Sequence, residues 1–96
     1  MRMSTIFRLA AQRIERGLSV CSCVAVSQAS EAAGLEYFGR ARAKYQRLMS
    51  PRGDGCLRVS DFDPSLRYDP ALGAEARNHR VLALCMAATL ADEEGL

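Results

Sequence analysis

The residues best equipped for chemistry are few. Four cysteines, at 21, 23, 56 and 85, and a single histidine, His79, are the soft ligands of this chain. Cys21, Cys23, Cys56 and His79 make a nominal zinc set, since zinc accepts thiolate and imidazole ligands in a tetrahedron. Their spacing argues the other way. No pair has the Cys-x-x-Cys form, and residues two apart on a helix point to nearly opposite sides. Cys85 sits inside an apolar run and is expected in the core. With no export signal in view, the four thiols are expected reduced and buried rather than paired as disulfides. Asp61, Asp63 and Asp69 could offer oxygens to a hard cation. They lack the glycine and terminal glutamate of an EF-hand loop, however, and read as turn and cap residues. Nucleophile motifs, phosphate-cradling glycine loops and carboxylates spaced on one helix face are all missing, so neither an enzyme nor a cofactor is expected. His79 shares a helical stripe with Ala83, Met86 and Leu90 and is expected as a partly buried structural residue.

The other chemistry on offer is charge. The stretch GRARAKYQRL, Gly39 to Leu48, carries four cations in eight positions. Arg40, Lys44 and Arg47 are spaced i, i+4, i+7 and so share one helical face, with Tyr37 at its edge and Arg52 just beyond. Such a face can meet phosphates, which bind without sequence reading, or the carboxylates of a partner protein; the alternative is a solvated surface. A sharper form is a helix-turn-helix across SQASEAAGLEYFGRARAKY, on Ala29, Ala33, Gly34 and Leu35. Against it, Arg40 stands where the second helix should bury an aliphatic side chain, and Gly39 weakens a recognition helix.

The elements that must position these residues read as helices. Alanine, leucine and arginine dominate while β-branched and aromatic residues are sparse, a mix that favours helix over strand. A first helix, capped by Ser4 or Thr5 and stopped at Gly17, places Phe7, Ala10, Ala11, Ile14 and Leu18 in one stripe. A second, closing at Gly34, aligns the small residues Cys23, Val26, Ser30 and Ala33 for close packing. The third runs from about Leu35 to Met49, with Phe38, Ala41, Tyr45, Leu48 and Met49 as its apolar arc, and ends at Ser50-Pro51. Residues 51–69 form an irregular connection: PRGDG is turn chemistry, CLRVS a short extended piece. Asp69-Pro70 then opens a fourth helix to Ala91, apolar all round beyond Arg80 and therefore expected at the centre, surrounded by the other three. The expected fold is all-α, one four-helix domain over residues 1–96.

Composition agrees with this and narrows the setting. A hydrophobic fraction of 49% with three prolines and seven glycines excludes a disordered or low-complexity chain. The run VLALCMAATLA, Val81 to Ala91, is too short to span a bilayer, and the N-terminal stretch has scattered charges and no small-residue cleavage site. An intracellular, cytoplasmic protein is expected, with Met1 or Met3 as its start and no membrane partner. The net charge of +2 is unevenly spread. Residues 1–60 hold ten basic and four acidic side chains, a balance of +6, and residues 61–96 three and seven, a balance of −4. One end can meet an anionic partner, or the halves can attract each other. The alanine-rich faces of the second and fourth helices would also suit a homodimer.

With these elements in place, the chain resembles small uncharacterised accessory proteins of tailed phages and prophages. The likeness rests on Arg13-Ile14-x-x-Gly17, on Cys23-x-Ala25-Val26 at the opening of the second helix, on Tyr45-x-x-x-Met49-Ser50-Pro51, and on the closing RVLALCMAATLADEEG. It departs at 52–60, where aromatics are missing. The resemblance assigns no residue a role. What it implies is a setting: a compact protein that binds a host protein complex, such as a defence complex, and modulates it by occlusion, in an anti-CRISPR-like manner. The competing expectations are direct nucleic-acid binding by a helix-turn-helix regulator and a zinc-stabilised interaction domain.

Overall fold

A computed structural model of the chain describes residues 2–33, 57–66 and 74–95. The described residues hold three α-helices, α1 (Met3–Glu15), α2 (Ser22–Ala33) and α3 (Ala74–Glu93), plus a 3-10 turn at Val59–Asp61, with no strand among them. The class is all-α, as composition demands. The radius of gyration, 12.2 Å, matches the value of about 12.5 Å expected for a folded chain of this length. The expected third helix at 35–49, its cationic face, Cys56 and the Asp69-Pro70 start of the last helix lie outside the described residues.

The helix α1 forms because apolar residues recur at helical spacing and glycine stops it. Met3, Ile6, Phe7, Ala10, Ala11 and Ile14 are all buried on one side. The expected cap is corrected here. Arg2 holds the N-cap position in extended conformation, and its carbonyl accepts the Thr5 and Ile6 N–H groups. Ser4 lies inside the first turn, buried, because Met3 packs into the core and the Ser4 hydroxyl bonds Asp92 across the bundle. At the far end Gly17 adopts a left-handed φ of 74°. Its N–H donates to Ile14 and the Leu18 N–H to Arg13, the paired bonds of a Schellman stop. That reversal removes Leu18 from the apolar stripe expected for it. Leu18 leaves the helix register and faces solvent.

Small residues set the packing of α2. Ser22, Ala25, Val26, Ala29 and Ser30, at i, i+3, i+4, i+7 and i+8, are its buried side. Val26 and Ser30 fall where the sequence puts them, whereas Cys23 is only half-buried. The face sits one residue round from expectation because alanines, not the larger thiol, make the close approach.

The core joins α1 to α3. Ala83, Leu84, Ala87, Ala88 and Ala91 are buried to zero exposure and belong to one cluster with Phe7, Ala10 and Ile14. Alanine on both sides lets the helix axes approach closely. Residues at the start of α1 meet Asp92 at the end of α3, so the two helices run antiparallel. Two expectations for the last helix are overturned. It is not surrounded, since Asn78, Leu82, Cys85 and Thr89 form an exposed stripe, and Cys85 is therefore on the surface rather than in the core. At about 100° per residue these positions lie opposite the alanine face. Hydropathy could not tell the faces apart, because leucine occurs on both.

Residues 57–66 contribute to the same core. Leu57 and Val59 are buried and Phe62 packs against the cluster. Arg58 is extended, in keeping with the expected short extended piece, before the chain tightens into the 3-10 turn. Asp61 accepts the Arg58 N–H at 2.9 Å, and Asp63 accepts the Ser65 N–H and hydroxyl at 3.0 and 2.6 Å. Both carboxylates act as turn-formers, and the two Ser65 bonds, hydroxyl first, hold the Asp63 carboxyl below its usual value.

Candidate docking surface

Two polar clusters fix the ends of α1. At its start, Asp92 receives the Arg8 guanidinium at 2.9 Å, lies 3.7 Å from Arg2, and is hydrogen-bonded by Ser4. A carboxylate in the last turn of a helix opposes the macrodipole. The Ser4 hydroxyl, then the Arg8 hydrogen bond, offset this and hold the Asp92 carboxyl below its ordinary value of 3.8. Because the folded-state value is the lower one, the stabilisation is present above the ordinary value and is lost as pH falls through the folded one. Asp92→Asn is therefore expected to destabilise at neutral pH in low salt, and the gap from the parent to close as both are titrated into acid. Urea melts at neutral pH and at pH about 2 check this.

At the other end, Gln28 Oε1 accepts Arg13 Nη2 at 2.9 Å, Arg13 Nε at 3.2 Å and the Ser19 hydroxyl at 2.6 Å. This ties the last turn of α1, the reversal and α2 into one corner. The reversal leaves three aliphatic side chains in water within seven residues: Leu18 is 60% exposed, Val20 75% and Val24 47%. Arg16 is exposed beside them. Between the helices a groove of about 180 Å³ runs along Leu9, Gln12, Arg13 and Arg16 on one wall and Ala29 and Ala32 on the other, with Leu18 at its end.

The residues singled out from the sequence fare unevenly. Arg40, Lys44, Arg47, Arg52 and Tyr37 lie outside the described residues, and so does Cys56. Cys21 and Cys23 are half-buried at the start of α2. His79 stands apart on α3, where its Nε2 accepts the Val59 N–H at 3.3 Å and ties the 57–66 segment down. This is the structural role expected of it. Among the described residues, no group of three or more His, Cys, Asp and Glu side chains is arranged to hold a metal ion. No described helix is long and apolar enough to cross a membrane.

Sequence reasoning missed the apolar corner. The signal was nevertheless present: a glycine stop after Arg16 forces the following aliphatics off the helix stripe. Comparison of the chain with family models, with curated proteins and with solved structures gives no match.

Proposed function

We propose that the chain is a non-enzymatic interaction module, a phage accessory protein that binds a host protein complex in the cytoplasm and modulates it by occlusion. In this reading the domain has four helices, the third carrying Arg40, Lys44 and Arg47 as a second contact surface with Arg52 and Tyr37. The observation that supports it is the exposed corner of Leu18, Val20 and Val24 beside Arg16. Single exposed aliphatics are ordinary on a monomer, but three within seven residues, following an exposed arginine in the chain, offer a partner something to cover. The antidefence role rests on the resemblance alone.

The rival is a helix-turn-helix regulator in which α2 is the first helix, a position that suits the buried Ala29. Affinity capture from host lysate, with and without nuclease, separates the two. A specific protein band that survives nuclease is expected. Loss of every band with the nucleic acid, together with salt-sensitive retardation of a DNA duplex, would establish the regulator instead.

A further inference from the structure

We infer that the α1–α2 groove binds a carboxylate-bearing, aliphatic segment of the partner protein: an acidic amphipathic peptide. The inference deepens the interaction reading and rests on it, naming the chemistry of what docks at that corner. Its basis is an imbalance of charge. Arg2 and Arg8 are both paired with Asp92. Arg13 and Arg16, which both line the groove, form no ion pair with a carboxylate among the described residues. Arg13 is half-buried, and its guanidinium is held through Nε and Nη2 by the neutral oxygens of Gln28 and Ser19. Neutral acceptors orient the fork without cancelling its charge, and Nη1 keeps donors to spend. Arg16 follows at i+3, so the two cations are neighbours on one helix face. Apart from Gln12 the rest of the lining is apolar: Leu9, Leu18, Ala29 and Ala32. Alanine on the α2 wall is what leaves the groove open. A pre-positioned guanidinium next to an aliphatic trough fits a glutamate whose neighbour one helical turn away is leucine.

The test is an amide-resolved NMR titration with a short synthetic peptide of Glu and Leu in helical alternation, beside the same peptide with Gln for Glu. Binding of the Glu peptide is expected to shift Leu9, Arg16, Leu18 and Ala32, and to weaken with added salt. Arg16→Glu, which reverses the charge at an exposed position, and Ala32→Leu, which fills the groove from its exposed rim, should each weaken binding at least about tenfold. Arg77→Gln on α3 should leave it unchanged. Equal binding of the Gln peptide, shifts elsewhere, or no shift at all would overturn the inference. A captured host protein that depends on the Leu18 corner but is indifferent to Arg16→Glu would overturn it alone and leave the interaction reading standing.

Discussion

Phe7→Ala is expected to lower the unfolding free energy by about 3–5 kcal/mol, the largest effect of any single truncation among the described residues. Among the described residues Phe7 is the largest fully buried side chain, with no exposure to solvent. Of the fifteen other residues of the cluster eight are alanines, drawn from all three helices. An alanine has no rotamer with which to close a void, so the cavity term remains nearly whole. For a domain whose total stability is about 5–15 kcal/mol, this is a substantial fraction. A fall in melting temperature of more than about 12 °C follows from the usual scaling for a domain of this size. Chemical denaturation of the parent and the variant measures it directly. A loss below about 1 kcal/mol would mean that the ring is not the hub of the α1–α3 interface.

Leu57→Ala is the second large effect, expected at about 2–5 kcal/mol. Periodicity places Leu57 in an irregular connection, where a truncation would cost within about 0.5 kcal/mol. The structure places it at 2% exposure in the central cluster, with Val59 beside it at 3%. The neighbouring Val59 N–H donates to His79, and Asp61 closes the turn on Arg58, so the segment is fastened by backbone as well as by burial. The two estimates differ enough that one denaturation curve separates them. A surface-like value would show that residues 57–66 do not complete the core.

How much was legible in the sequence varied with the kind of signal. The all-α class, the helical state of α2 and the stop of α1 at Gly17 followed from propensity and glycine punctuation, because those are local effects. The apolar side of α1 was readable for the same reason: its large residues lie on one face and its charges on the other. The orientation of α3 was not. Its buried side is alanine apart from Leu84, and its exposed side carries Leu82 and Cys85. Hydropathy ranks those two above alanine, but close packing against α1 selects the smaller residue. Ser4 was misjudged in a related way. A serine near a helix start is ordinarily a cap, yet here its hydroxyl serves Asp92, a partner in another helix that no local pattern reveals. The candidate site was not legible: the cations singled out from the sequence, Arg40, Lys44, Arg47 and Arg52, lie outside the described residues, and Arg13 and Arg16 were not among them. Its aliphatic part depends on the direction of the chain after Gly17, which is a matter of backbone geometry rather than of composition.

The most direct test of the interaction reading is nuclease-treated affinity capture repeated with a Leu18→Ser, Val20→Ser, Val24→Ser triple variant. All three side chains face water, so its melting temperature should stay close to that of the parent. The account predicts that the parent retains a specific host protein and that the variant, equally folded, loses it. Retention of the same protein by both chains would contradict it.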